Sequence, residues 1–129
     1  MKILPHLFLS LLFLAGCAAS PEDPAYRQIG MAEAVEIMQT QRNYVILDVR
    51  TPEEFAERHI PNAINLPNET IGTGEIPELP EKDQLLLVYC RSGNRSKQAS
   101  RKLASLGYTN VVEFGGILDW PGTTISEKN

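Results

Sequence analysis

The sequence predicts a single α/β domain, a parallel sheet with helices on both of its faces. Three observations predict it. Strand-like and helix-like stretches alternate from Tyr26 to Trp120. Two of the strand-like stretches, Tyr44-Val45-Ile46-Leu47 and Leu85-Leu86-Leu87-Val88-Tyr89, are unbroken apolar runs, as strands are when both faces are covered. No internal repeat or low-complexity tract interrupts the alternation, and that pattern belongs to a parallel sheet packed between helices.

Tyr26-Arg27-Gln28-Ile29 reads as a short entry strand. Met31 to Gln39 reads as a helix, because Met31, Ala34, Val35 and Met38 recur at spacings of three and four. The run Tyr44–Leu47 ends at Asp48-Val49-Arg50. A second helix starts next, with Thr51 as N-cap, Pro52 at the first helical position, and Glu53 and Glu54 in the first turn, where the dipole favours them. Ala63-Ile64-Asn65-Leu66 is another short strand. Asn68 to Lys82 is rich in Gly, Pro and acid and reads as an irregular surface loop. Leu85–Tyr89 is the strongest buried-strand signal and runs directly into Cys90-Arg91-Ser92-Gly93-Asn94-Arg95. Ser96 to Leu106 is helical, with Ala99, Leu103 and Leu106 inward and Gly107 as its stop. Val111-Val112-Glu113-Phe114 closes with a strand, and Gly115-Gly116 turns into a short segment ending at Trp120.

The first residues read as an export signal and not as part of this domain. Met1-Lys2 is a positive start, Ile3 to Leu14 is almost entirely apolar, and small residues follow at Ala15 and Gly16. An apolar run of about 12 residues is too short for a bilayer core of roughly 30 Å, which needs about 20. Leu14-Ala15-Gly16-Cys17 resembles the lipobox of bacterial lipoproteins. That resemblance implies removal of residues 1–16 and lipidation of Cys17 with acyl chains such as palmitate. It makes 17–25 a tether and 26–125 the domain. More than one chain is needed for stable anchoring, which the lipoprotein family's multiple acylation meets. It also implies a membrane-anchored protein of a bacterial cell envelope. Ala18, in place of the aspartate that retains some lipoproteins in an inner membrane, points to the periplasmic side of an outer membrane where the cell has one. Ordinary cleavage near Ala19 and a Cys17–Cys90 disulfide are the alternatives.

Without Lys2 the chain carries 11 basic and 16 acidic residues, net −5, which argues against nucleic-acid binding. With Cys17 modified, Cys90 has no partner for a disulfide, so its thiol is either buried and inert or present for its chemistry.

Several features place chemistry at Cys90. It follows a buried strand and precedes a helix, and ligands of open α/β sheets bind at the carboxyl ends of strands. The stretch to Arg95 contains Gly93 and Asn94, both tolerant of unusual backbone angles. Its amides can therefore curl into an anion-binding nest beside a helix N-terminus. No carboxylate lies between Asp83 and Glu113, while Arg91, Arg95, Lys97, Arg101 and Lys102 do. Such a setting favours the nucleophilic thiolate and attracts a small dianion. The competing view is a small buried hydrophobe at Cys90 beside the solvated face of a basic helix.

Asp48-Val49-Arg50-Thr51-Pro52-Glu53-Glu54-Phe55, followed by His59-Ile60-Pro61-Asn62-Ala63-Ile64-Asn65-Leu66-Pro67, resembles the first signature of the rhodanese family. Tyr89-Cys90-Arg91-Ser92-Gly93-Asn94-Arg95-Ser96 is similar to that family's active-site loop, and Gly115-Gly116-Ile117-Leu118-Asp119-Trp120 to its closing segment. The resemblance implies a five-stranded parallel sheet flanked by helices and a sulfurtransferase. No metal or cofactor is expected, and nothing in the sequence demands more than a monomer. Cys90 would take sulfur from a thiosulfate-like anion as a persulfide and pass it to cyanide or a thiol. The amides of Arg91, Ser92, Gly93, Asn94, Arg95 and Ser96 would bind substrate, with charge from Arg91 and Arg95. Asp48 and Arg50 would brace the site, and His59 would not act as a base. Arg58 and Asn62 stand where the family often has glycine, and the chain after Trp120 is shorter than usual.

Two other functions compete. Phosphatases of the same fold place five residues between Cys and a catalytic Arg, whereas four separate Cys90 from Arg95, and Tyr89 stands where they often have histidine. A non-catalytic module that binds a partner or carries persulfide sulfur is the other. There is no Cys-x-x-Cys pair for disulfide exchange, and with His6 lost alongside the signal only His59 is left for a metal.

Overall fold

In the computed structural model, which describes residues 25–72 and 74–128, the chain runs β1 (Arg27–Gln28), α1 (Met31–Thr40), β2 (Tyr44–Asp48), α2 (Pro52–Glu57), β3 (Ile64–Asn65), β4 (Leu85–Cys90), α3 (Asn94–Ser105) and β5 (Val111–Gly116). Single 3₁₀ turns occupy Asn68–Thr70 and Ile117–Asp119. The strands form one sheet in the order β1-β5-β4-β2-β3, every neighbouring pair parallel. This is the five-stranded α/β fold expected. Among the described residues no helix is long and apolar enough to cross a membrane; Cys17 and the segment before it lie outside the described residues.

Side chains on a strand alternate between faces, and β4 sorts its residues accordingly. Leu86, Val88 and Cys90 join Ala99 and Leu103 of α3 in one core cluster. Leu87 and Tyr89 join Ala34 of α1, Val112 and Phe114 in the other, with Phe55 of α2 packed against it. The sheet is thus covered by α3 on one face and by α1 and α2 on the other. Cys90 points to the α3 side, so the helix that follows it is the one that packs over it.

Three differences from the sequence reading have local causes. The stretch from Asn68 to Lys82 is not purely a surface loop: Ile71, Ile76 and Leu79 are buried in the α3-side core. Their spacing follows neither helix nor strand periodicity, because the chain reaches the core through irregular turns. Helix α3 starts at Asn94, two residues before the expected Ser96, since Gly93 supplies the turn that launches it. The chain after Trp120 folds back onto α2, where His59 and Ile125 exchange backbone hydrogen bonds of 2.9 Å each way and the Glu127 amide donates to the Ala56 carbonyl at 2.8 Å.

Helix α2 is short but firmly started. Thr51 and Glu54 form a reciprocal capping box, and Pro52 occupies the first position, so the orphan amides of the first turn are satisfied locally. Asn62, where a glycine was noted as usual, has φ of 69°, a left-handed conformation that asparagine tolerates better than most residues.

Candidate active site

Cys90 closes β4, and after a register shift its partner on β5 is Gly116. A Cβ at Gly116 would overlap the carbonyl of Arg91. Only glycine lets the chain leaving Cys90 lie directly against β5, where the Leu118 amide donates to the Arg91 carbonyl at 3.3 Å. Two residues later Gly93 takes φ of 117°, a region that L side chains rarely adopt. That turn brings the Gly93 N–H back to Cys90 Sγ at 3.0 Å.

Gly93 is also the N-cap of α3, with no side-chain cap. The first-turn amides of an α-helix have no intrahelical acceptor, so this end of α3 keeps open donors and the positive end of its dipole beside the loop. Helix α2 contrasts with it, its first turn closed by Thr51 and Glu54. The Cys90 side chain is only 1% exposed, while Arg91, Ser92 and Asn94 are exposed on the solvent side of the loop.

The carboxylate-free environment read from the sequence does not hold in three dimensions. Glu54 comes from α2 to meet Arg95 in a two-pronged pair, Nη1 to Oε1 at 2.6 Å and Nη2 to Oε2 at 3.0 Å. Glu113 comes from β5 to accept the Ser96 hydroxyl at 2.7 Å, and Ser96 Oγ lies 3.4 Å from Cys90 Sγ. The basic residues also disperse. At 1.5 Å rise per residue, Arg101 and Lys102 sit roughly 10 Å along α3 from its start. Arg101 lies over the Tyr26 ring, and Lys102 donates to Asn68 at 2.9 and 3.1 Å.

Asp48 and Arg50 form a buried brace one strand away. Arg50 donates to both Asp48 oxygens, the shortest contact being Nη2 to Oδ2 at 2.7 Å, and also to the Arg58 carbonyl at 2.6 Å. The Tyr89 hydroxyl donates to Asp48 Oδ2 at 2.6 Å and accepts the Ile60 amide at 3.1 Å. Burial, then the neighbouring Asp48 charge, pushes the Tyr89 phenol far above its ordinary value. Tyr89 therefore stays a neutral donor, fixing the residue that precedes Cys90. His59 is buried, stacked on Phe55 at 3.8 Å, with Nδ1 2.9 Å from the Phe55 carbonyl; it packs α2 and does not face the cysteine loop through any of these contacts.

A family model described as a rhodanese-like domain matches residues 31–122. The chain belongs to the rhodanese-like family. It is 37% identical over 73 residues to the thiosulfate sulfurtransferase PspE of Escherichia coli, covering 57% of this chain and 70% of that protein. It is 34% identical over 108 residues to the thiosulfate sulfurtransferase GlpE of Coxiella burnetii, covering 81% of this chain and 98% of that one. The crystal structure of a rhodanese-related protein from Thermoplasma volcanium superposes with a TM-score of 0.64 at 34% identity, over 78% of this chain and 98% of that one. Two fungal proteins named adenylyltransferase and sulfurtransferase are much longer, and the chain spans 22% and 26% of them.

Within this rhodanese-like domain, Cys90, Gly93 and Ser96 are in mutual contact, whereas Asp48 and Arg50 reach the loop through Tyr89. Sequence reasoning missed the contacts that Glu54, Glu113 and Gly116 make around the cysteine loop, and it placed Tyr89 in the loop motif without its hydrogen bond to Asp48. Glu54 read as a first-turn acid. A better signal existed for Glu113, a carboxylate inside the otherwise apolar stretch Val111–Phe114.

The Arg95 guanidinium and the Thr51 donors hold the Glu54 carboxyl down at about 2 from its ordinary 4.5. A group lowered on folding contributes stability that is fully present above its unfolded value and lost as pH falls through the folded one. Unfolding measured from pH 5 to pH 2 should therefore show a loss of stability in this window, and Glu54→Gln should remove that component. An identical pH slope in the variant would mean that the pair does not couple α2 to α3.

Proposed function

We propose that the protein is a sulfurtransferase that moves sulfane sulfur from a donor such as thiosulfate to a thiophilic acceptor, cyanide or a thiol, through a persulfide on Cys90. The observation that carries the reading is the Gly93 N–H held 3.0 Å from Cys90 Sγ, at the mouth of an uncapped helix N-terminus. An amide aimed at the sulfur can donate a hydrogen bond to negative charge that develops there and, after transfer, to the persulfide. The names of the relatives PspE and GlpE point to the same chemistry.

In the first half-reaction the Cys90 thiolate attacks the outer sulfur of thiosulfate. A Cys90 Sγ–S bond forms, the S–S bond of thiosulfate breaks, and sulfite departs with the electron pair. In the second, the acceptor attacks the outer persulfide sulfur and the Cys90 thiolate leaves, giving thiocyanate from cyanide or a new persulfide from a thiol. The amides of Arg91, Ser92, Gly93, Asn94, Arg95 and Ser96 hold the anion, and the exposed Arg91 attracts it. Arg95 contributes through its backbone, because its guanidinium is engaged with Glu54. That engagement also disfavours a phosphatase, which needs the arginine fork turned onto phosphate oxygens.

Intact mass of the protein after incubation with thiosulfate tests the proposal. The wild type should gain one sulfur atom, removable by cyanide, and Cys90→Ser should gain none. Absence of any adduct with thiosulfate or other sulfane donors would overturn it in favour of a binding module.

We further propose that the protein is a monomer anchored in a bacterial cell envelope through lipidated Cys17, with residues 1–16 removed. Cys17→Ala should move it from the membrane fraction to the soluble fraction while sulfur transfer by the released protein is unchanged. A variant that stays on the membrane would contradict the anchor.

A further inference from the structure

Glu113 is a carboxylate in the middle of β5, 3% exposed, flanked by the buried Val111, Val112 and Phe114. Among the described residues the ion pairs are Asp48–Arg50 and Glu54–Arg95, so no cation is paired with it. A buried carboxylate without a counter-charge is costly to retain, and packing gives no reason for one here. What Glu113 does touch is the cysteine loop. Its Oε1 accepts the Gly115 amide at 2.9 Å and the Ser96 hydroxyl at 2.7 Å, and Ser96 Oγ stands 3.4 Å from Cys90 Sγ.

A serine hydroxyl has one proton to donate. The Gly93 carbonyl at 2.9 Å and the Gly115 carbonyl at 3.4 Å also lie within reach of it. The carboxylate is both nearer and charged, and charge-assisted hydrogen bonds are the stronger ones. With that proton on the Glu113 side, Ser96 turns a lone pair to Cys90, and the thiol donates to it. Cys90, Ser96 and Glu113 then form one hydrogen-bonded chain that begins at a nucleophile and ends at a base.

We propose that Glu113 accepts the Cys90 proton through Ser96. As Sγ becomes a thiolate, its proton passes to Ser96 Oγ and the Ser96 proton passes to Glu113 Oε1. Ser96 finishes as a hydroxyl that donates to the new thiolate, and Glu113 as a neutral acid. No electrons are transferred and no external base is needed. When the sulfur acceptor later expels the Cys90 thiolate, the same proton can return along the same path. The inference deepens the reading of Cys90 as the nucleophile and rests on it. Glu113 acts at one remove, as a positioning residue, while Ser96 touches the reacting sulfur.

The test follows the reaction of Cys90 with 4,4′-dithiodipyridine in the full chain carrying Cys17→Ala, so that one thiol reports. Glu113→Gln keeps the size of the side chain and an acceptor oxygen for Ser96 and Gly115 but cannot take up the proton. It should slow the reaction about 10²-fold, within the range of general-base effects, as should Glu113→Ala. A role confined to holding Ser96 in place would leave the Gln variant near the parent rate. Ser96→Ala should be as slow, and the Ser96→Ala/Glu113→Gln double variant no slower than Ser96→Ala, because groups acting as one unit are not additive. A Gln variant at the parent rate, two losses that multiply, or a parent thiol that does not react would each overturn the relay. If Glu113→Gln does not fold, Ser96→Ala decides alone, and an unchanged rate overturns it. Thiosulfate adduct formation separates the two proposals. A reactive, Glu113-dependent thiol that gains no sulfur removes the sulfurtransferase reading and keeps the relay. Sulfur gain with an unaffected Glu113→Gln does the reverse.

Discussion

The site depends on one close approach, the backbone of Arg91 against Gly116. Because Gly116 has no side chain, the chain leaving β4 can press onto β5 instead of arching over it. The β4–β5 register shift that sets Cys90 opposite Gly116 aligns the two segments, and the Leu118 amide fastens the Arg91 carbonyl. With that carbonyl fixed, Gly93 can turn back and place its amide on Cys90 Sγ. The same turn starts α3, so the helix dipole and the cysteine are brought together by a single piece of backbone geometry.

Around this loop two pairs of charged side chains are committed to one another. Arg95 holds Glu54 and so joins the start of α3 to the start of α2. Arg50 and Asp48 join the end of β2 to the Arg58 carbonyl and to Tyr89. The Asp48–Arg50 pair is buried and the Glu54–Arg95 pair half-buried; a buried pair contributes little net stability, yet losing one partner is expensive. Their effect is to fix position: the residue before Cys90 and the helix after it are each tied to a different part of the sheet. With those side chains engaged elsewhere, the Gly93 amide is the backbone donor on the sulfur, an arrangement that costs no reorganisation when negative charge develops there.

Much of the fold was legible in the sequence because its strands are unambiguous. The apolar runs at Tyr44–Leu47 and Leu85–Tyr89 became the centre of the sheet, and the motif around Cys90 falls where β4 gives way to α3. What escaped was set by tertiary contact. Ile71, Ile76 and Leu79 enter the core from a segment without periodicity, so no pattern marked them as buried. The absence of acid between Asp83 and Glu113 seemed to make the loop purely cationic, but residues far apart in sequence supply Glu54 and Glu113 to it. The five basic residues following Tyr89 looked like one cluster, and the helical rise spreads four of them along α3. Lipidation of Cys17 rests on its motif alone, outside the described residues.

The central claim is that Cys90 Sγ receives sulfur within the amide-lined loop in front of α3. A crystal structure of the protein after soaking with thiosulfate tests it most directly. The account predicts one added sulfur atom bonded to Cys90 Sγ, within hydrogen-bonding distance of amides between Arg91 and Ser96, with the Arg91 carbonyl still seated on Gly116. Thiosulfate found only elsewhere on the surface, with Cys90 unmodified and its sulfur still sealed from solvent, would contradict it.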